Sequence, residues 1–274
     1  MNYKNITINT PALLIDKSVL LDNIKIMSSY TQKNRINLRP HAKSHKISEI
    51  AKIQIKYGAI GICVATLYEA EVMSKNNIQG ILITTPITNL NSEKRLSKLI
   101  KFSKNLMLII DSSYGLNFLE KIAIKNKIKV NVLVDCDIMG IGTKKIRRTG
   151  AKNIKEIVRL ASLTNNNKYL NYIGITAYAG DIQHINNYNK RKIETNIRHN
   201  YLNKIINKLK EENLSPEIIS GGGTGSYDID TNRKLFTELQ VGSYVFNDVE
   251  YDNVNIYKSN ENPFKTGLFI ASSV

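Results

Sequence analysis

The sequence lacks any long apolar run and has only two cysteines, and each shortage excludes a class of protein. No apolar stretch among its 274 residues approaches the roughly 20 residues that a membrane-spanning helix needs. No hydrophobic block near the N-terminus is typical of a signal peptide. Cys63 and Cys136 lie far apart in apolar runs and form no Cys-x-x-Cys pair. We therefore expect buried free thiols and a cytoplasmic location.

Acidic residues are also scarce, because 23 Asp and Glu accompany 39 Lys and Arg, which gives a formal net charge of +16. Clustered cations would indicate a nucleic-acid partner. Here the excess is nearly all lysine and is spread along the chain, and no recognised nucleic-acid motif accompanies it. We expect no nucleic-acid partner and attribute the charge to a compositional bias shared with the abundant Asn and Ile.

Short apolar runs alternate with amphipathic stretches, which predicts an α/β fold. Continuous apolar runs such as 106–110 suit a parallel sheet covered on both faces, and segments such as 154–163 have helical spacing. Eight strands alternating with helices favour a (β/α)8 TIM barrel over an open sheet. The predicted strands cover residues 36–42, 58–66, 80–86, 106–111, 129–137, 172–180, 217–222 and 238–246.

A basic stretch, RPHAKSHK at 39–46, directly follows the β-like run at 36–38 and lies at the end of the first predicted strand, where functional groups of such barrels gather. A lysine held there beside Arg39, His45 and Lys46 loses some of its preference for a proton. Nearby positive charge and partial desolvation both lower the pKa of an amine. A lowered pKa favours condensation with an aldehyde as a Schiff base. The alternative is a solvated basic turn.

Glycines follow the seventh predicted strand at 221–225, interrupted only by Thr224. Successive backbone N–H groups without side chains can approach an anion closely, whereas the plainer interpretation is a flexible turn. We place Gly242, Ser243 and Tyr244 in the eighth strand, beside this run, and predict a phosphate site there. A reactive lysine and a phosphate site at one barrel mouth suggest pyridoxal 5′-phosphate as cofactor.

With these motifs the chain resembles the D-threonine aldolase/D-serine dehydratase group of alanine-racemase-like (fold type III) pyridoxal-phosphate enzymes. The resemblance implies a barrel of the alanine racemase N-terminal type. It extends over nearly the whole chain, and the motifs occur in the order found in the family. The matching segments are RPHAKSHK (39–46), CVATLYEAE (63–71), VDCD (134–137), RTG (148–150), YAG (178–180), SGGGTGSYD (220–228) and TELQVGSYVF (237–246).

The resemblance also assigns roles to residues. Lys43 rather than Lys46 would form the Schiff base, Arg148 would contact the phenolate oxygen of the cofactor, and Tyr178 would lie beside its pyridine ring. Alternatively, Arg148 is a solvated loop charge and Tyr178 packs in the core. The residues that would hold the phosphate are Gly222, Gly223, Thr224, Gly242, Ser243 and Tyr244. Among the histidines we expect supporting roles for His41 and His45, and exposure for His184 and His199.

The sequence also departs from the family. Its members carry a second, β-rich domain with a His-x-Cys or His-x-Asp pair that binds a divalent metal, which polarises the β-hydroxyl of the substrate. No histidine here is followed two residues later by Cys or Asp, so we expect no metal ligands. Asp181 replaces a family histidine, and residues 140–145 resemble an insertion.

We accordingly expect a C-terminally truncated chain with three parts: an N-terminal strand segment at 1–20, the barrel at 21–246, and the incomplete start of a β domain at 247–274. The early strand at 13–15 would then keep an unpaired edge. The resemblance implies a lyase that acts on D-β-hydroxy-α-amino acids, as a homodimer in the family. Alternatives are an amino-acid racemase and a truncated pyridoxal-phosphate-binding protein without turnover.

Overall fold

The predicted barrel is the centre of the structure. The structure is a computed structural model that describes residues 8–142, 147–257 and 262–273. Within these ranges one parallel sheet has eight strands, which are β2 (Asn37–Leu38), β3 (Ile62–Val64), β4 (Ile81–Ile83), β5 (Met107–Ile110), β6 (Val130–Asp135), β7 (Leu170–Ala177), β8 (Ile218–Gly221) and β9 (Glu238–Leu239). Neighbours along the sheet are β2-β9-β8-β7-β6-β5-β4-β3. Cys63 N–H donates to the Pro40 carbonyl at 2.9 Å, which joins the two ends of the sheet and closes the barrel.

Helices follow the strands and cover the barrel. They are α1 (Lys17–Lys33), α2 (Ser48–Lys56), α3 (Leu67–Lys75), α4 (Glu93–Phe102), α5 (Ser113–Asn126), α6 (Ile154–Asn165), α7 (Tyr188–Glu211), α8 (Tyr227–Asn232) and α9 (Val249–Asp252). Short polar side chains begin several of them, because their oxygens accept hydrogen bonds from free N–H groups of the first turn. The capping residues include Asp16, Thr66, Ser112, Asn153 and Asn187. No helix in the described ranges has the length and apolar character required to span a bilayer.

The apolar strands are buried on both faces, as their continuous pattern predicts. In β5, Met107 and Ile109 pack with Cys63 inside the barrel, whereas Leu108 and Ile110 pack against the helical layer. Consecutive side chains of a strand point to opposite faces, so a strand between lumen and helices needs apolar residues at every position. Cys63 and Cys136 are free and buried, which confirms the prediction made from their context.

The ends of the predicted strands differ from the structure. The first strand has two residues instead of 36–42, and a 3₁₀ helix, Ala42–Ser44, follows it. The eighth barrel strand ends at Leu239, and a second 3₁₀ helix spans Ser243–Val245. The placement of Gly242, Ser243 and Tyr244 in a strand is therefore wrong. The pairing of β9 with β8 ends at Leu239, which lies opposite Gly221.

A separate two-stranded antiparallel sheet joins the two ends of the chain. It pairs β1 (Ala12–Ile15) with β10 (Leu268–Ala271), in a register that sets Leu13 opposite Ile270. The early strand is thus paired on one edge, and among the described residues its other edge has no strand partner, which agrees with the expected unpaired edge. The boundaries 1–20, 21–246 and 247–274 stay a prediction.

Candidate functional site

A cavity of about 270 Å³ opens at the carboxyl ends of the barrel strands. Its walls come from segments that are remote in sequence and follow seven different strands. The predicted site residues that line it are Lys43, Arg148, Tyr178, Gly223, Thr224, Gly242 and Ser243. The topology of the barrel thus brings the basic motif, the tyrosine and the glycine-rich loop to one mouth.

Lys43 lies in the 3₁₀ helix after β2, and its Nζ is 5.1 Å from the centroid of the Tyr178 ring. Burial is the main reason that its pKa is lowered, and the Arg148 guanidinium lowers the pKa further. The sequence prediction named partial desolvation and the neighbouring cations Arg39, His45 and Lys46; desolvation agrees with the structure, whereas the cation that lowers this pKa is Arg148. Arg39 is paired with Glu238, and Lys46 is paired with Glu69 outside the cavity.

His41 supports the backbone of Lys43. Its Nδ1 accepts the Lys43 N–H at 3.2 Å, so the proton lies on Nε2, which donates to Thr84 Oγ1 at 2.9 Å. Burial and the nearby Lys43 hold the pKa of His41 well below its usual value, so the ring is neutral. His45 is also buried, which lowers its pKa to about 4, and its Nδ1 accepts the Ile47 N–H. Both contacts agree with the supporting roles expected of these histidines.

The glycine-rich loop is held by side chains on its far side. Gly223 N–H donates to Asp230 Oδ2 at 3.3 Å, and Gly225 N–H donates to Gln183 Oε1 at 2.9 Å. A Cβ at Gly223 would lie 2.4 Å from Gln183 Oε1, and one at Gly242 would lie 2.9 Å from the His41 carbonyl oxygen. Neither position has room for a side chain, so the backbone itself forms this wall of the cavity.

Free donors remain on this wall. The backbone N–H groups of Thr224, Gly242 and Ser243 have no acceptor among the described residues. Backbone N–H groups without partners are costly unless a ligand or water accepts from them. They are suited to an anion such as a phosphate.

Two residues of the predicted phosphate site do not line the cavity. Gly222 has a φ of +75° and lies behind the loop, where an added Cβ would be 2.8 Å from Asp230 Oδ2. Tyr244 is fully buried, and its hydroxyl accepts a hydrogen bond from Gln54 at 2.9 Å. Its backbone N–H donates to Thr224 Oγ1 at 3.2 Å. These two residues pack behind the wall and support it, but they do not line the cavity.

Sequence reasoning missed a carboxyl group in the cavity. Asp135 is the last residue of β6, and its Oδ1 accepts a hydrogen bond from Thr176 Oγ1 at 2.7 Å. Burial raises the pKa of Asp135 to about 6. A signal was present, because an acidic residue that ends an apolar barrel strand lies at the functional end of the fold.

Arg148 also lines the cavity, as predicted, and its side chain is exposed. Part of the suspected insertion that precedes it, residues 143–145, lies outside the described residues.

The rim of the cavity carries His184, Asp248 and Glu250. His184 is exposed, as predicted, and its Nε2 is 3.4 Å from Glu250 Oε2. Ligand atoms of the three residues lie within 4.8 Å of one another, a spacing that a cation could bridge, but exposed acidic groups often adopt it without one. The other histidine expected on the surface, His199, is buried with 2% exposure, so that prediction is wrong.

Comparison with known proteins agrees with the barrel fold. The family model for the alanine racemase N-terminal domain matches residues 15–249. The chain belongs to this family. The match includes the whole barrel and every predicted site residue, so the barrel type inferred from the motifs is confirmed.

Relatives named as aldolases are similar to this chain over most of its length. It is 30% identical to a 3-hydroxy-D-aspartate aldolase of Paracoccus denitrificans over 97% of its length and 68% of the relative. It is also 30% identical to a D-threonine aldolase of an Arthrobacter species, over 89% of this chain and 62% of the relative. A solved D-threonine aldolase from Filomicrobium marinum superposes with a TM-score of 0.88 at 28% identity, over 96% of this chain and 68% of that one. The chain thus spans about two thirds of the length of these relatives.

Proposed function

We propose that this chain binds pyridoxal 5′-phosphate at the barrel mouth and is a lyase for D-β-hydroxy-α-amino acids. One observation is the main support for this cofactor. The cavity that contains the Lys43 amine, whose pKa is lowered, also has a wall of free backbone N–H groups at Thr224, Gly242 and Ser243. The relatives named as aldolases of D-threonine and 3-hydroxy-D-aspartate support the substrate class.

The residues present fit the cofactor. Thr224, Gly242 and Ser243 would hold its phosphate, because an anion can come close to N–H groups where no Cβ intervenes. Lys43 would bond to its aldehyde carbon. The remaining contacts follow the resemblance, with Tyr178 beside the ring and Arg148 near the phenolate oxygen, and both side chains line the same cavity.

When bound, the cofactor would supply an electron sink for negative charge that develops at the α-carbon of an amino acid. The protein supplies the groups that hold and move protons. Because the pKa of Lys43 is lowered, its Nζ is ready to accept a proton from the substrate when it is not bonded to carbon. His41 fixes the backbone of this lysine, and Arg148 adds the positive charge that disfavours its protonation.

The test is to add pyridoxal 5′-phosphate, reduce with borohydride and map the pyridoxyl label by mass spectrometry. We expect the label on Lys43 and its loss in Lys43→Ala. Lys46→Ala is the matched control, because Lys46 lies in the same motif but outside the cavity, and it should label like the wild type. Label on Lys46, or label that survives Lys43→Ala, would contradict the proposed site.

Turnover needs a separate assay with D-threonine, D-serine and D-3-hydroxyaspartate, each with and without added Mn²⁺. The proposed lyase releases glycine and an aldehyde, or a 2-oxo acid and ammonia, from D-substrates and not from L-threonine. Interconversion of D- and L-alanine would instead support a racemase. Label on Lys43 without any turnover would support a cofactor-binding protein. The homodimer and the cytoplasmic location stay predictions.

A further inference from the structure

A buried, hydrogen-bonded pair of side chains lies behind the glycine-rich loop, on the side away from the cavity. His199 of α7 and Asp230 of α8 are 2% and 3% exposed, and His199 Nε2 is 3.0 Å from Asp230 Oδ1. Neither residue lines the cavity that contains Lys43. The pair therefore has no direct access to a bound ligand, and any effect that it has on the site passes through the loop.

Asp230 is the residue that reaches the loop. Its Oδ2 accepts a hydrogen bond from Ser226 Oγ at 2.6 Å and one from Gly223 N–H at 3.3 Å. Gly222 passes so close to this oxygen that a Cβ there would lie 2.8 Å away. One carboxylate thus fixes both ends of the turn 223–226, and it turns the Gly223 N–H away from the cavity.

His199 in turn holds the carboxylate. Its Nε2 must carry the proton in order to donate to Asp230, whereas its Nδ1 is buried without a partner among the described residues. A buried polar atom without a partner is unfavourable, so an apolar ring would fill this space at lower cost. The ring packs edge-on against Phe236, with centroids 5.7 Å apart, which fixes its orientation. What a histidine provides here, and an apolar ring would not, is the hydrogen bond to Asp230.

We propose that His199 and Asp230 are positioning residues that hold the glycine-rich loop in the shape that binds an anion. Without the hydrogen bond from His199, the carboxylate can rotate, and Gly223 and Ser226 lose a fixed acceptor. Thr224 lies between those two residues, so its free N–H no longer keeps one direction. The identity of the anion, the phosphate of the cofactor, rests on the proposed function.

Three variants and a control separate this role from a general loss of stability. His199→Phe keeps the ring packing and removes the donor, Asp230→Asn weakens the acceptor, and His199→Gln restores a donor of similar reach. Leu209→Ala is the control, because Leu209 is fully buried on the same helix in the barrel–helix core and its loss leaves a cavity there. It should lower the melting temperature without changing the loop.

The first measurement is hydrogen exchange of the backbone amides at 221–226 in the unliganded protein. We expect exchange about tenfold faster in His199→Phe and Asp230→Asn, the factor for loss of one hydrogen bond to a charged group. His199→Gln and Leu209→Ala should match the wild type. Unchanged exchange in His199→Phe would overturn the inference, whether or not the protein binds a cofactor.

The second measurement compares the dissociation constants of pyridoxal 5′-phosphate and pyridoxal. In His199→Phe the constant for the phosphorylated compound should rise about tenfold, while that for pyridoxal stays the same. Equal weakening of both would overturn the inference. If the wild-type protein binds neither compound, the proposed function fails, and the exchange comparison still decides whether the pair positions the loop.

Discussion

The ion pair between Arg39 and Glu238 lies inside the barrel, below the site, and its loss has a calculable effect. Arg39 Nε and Nη2 donate to the two oxygens of Glu238 at 2.9 Å each, and Ser220 Oγ donates to Oε1 at 2.6 Å. Arg39 also donates to the Gly80 carbonyl. Both charged side chains are at most 5% exposed, so solvent does not screen the pair.

Glu238→Gln leaves the Arg39 guanidinium buried without a counter-charge. Removal of one member of a buried pair lowers the free energy of unfolding by about 3–5 kcal/mol. Domains have a total of only about 5–15 kcal/mol, so the variant should unfold at a much lower urea concentration. The double variant Arg39→Met/Glu238→Leu should regain at least half of the loss, because no charge stays buried.

Urea unfolding followed by circular dichroism measures these differences. The matched control is Glu71→Gln, which breaks an equally well-formed pair with Arg95, at 2.7 and 2.9 Å, on the surface. Its effect should be far smaller, because solvent screens exposed pairs. The reasoning fails if Glu238→Gln is no more destabilising than Glu71→Gln, or if the double variant is less stable than the single one.

Two further predictions concern ionisation in the cavity. Arg148→Gln should raise the pKa of Lys43, because a nearby cation is lost, so the pH midpoint of borohydride-trapped pyridoxal labelling should move upward; Arg147→Gln, a neighbouring control, should not move it. The second prediction uses Asp135, because burial raises its pKa to about 6. Between pH 4 and 6 the native state therefore binds more protons than the unfolded chain, so the stability of the wild-type protein falls as the pH rises. The stability of Asp135→Asn minus that of the wild type should therefore grow by up to about 3 kcal/mol over this window in urea titrations, and a constant difference would contradict the raised pKa.

The barrel fold, and the motifs that line its mouth, could be predicted from the sequence because both depend on local patterns. Strands covered on both faces need apolar residues at every position, and the motifs follow them at the functional end. The ends of the strands could not be predicted. At 40–42 and 240–246 most residues stay buried after the chain leaves the sheet, so burial continues there without a strand.

The buried polar residues of α7 were beyond prediction for a related reason. This helix reads as a polar surface helix, yet Arg191, Arg198 and His199 are buried in it. Each is stabilised by a partner on another element, such as Asp181 for Arg198 and Asp230 for His199. Periodicity reports which residues prefer water, whereas it carries no information about a partner that becomes close only when the barrel closes.

Residues that are distant in sequence but close in the fold also determine the pKa of Lys43. Its neighbours in the motif include Arg39 and Lys46, but Glu238 and Glu69 neutralise these cations from distant positions of the chain. The cation that does lower the pKa of Lys43 is Arg148, 105 residues away in sequence. Desolvation has the larger effect, and it arises only when the fold brings the walls of the cavity around the lysine. The motif therefore singles out the lysine, whereas the folded barrel mouth lowers its pKa.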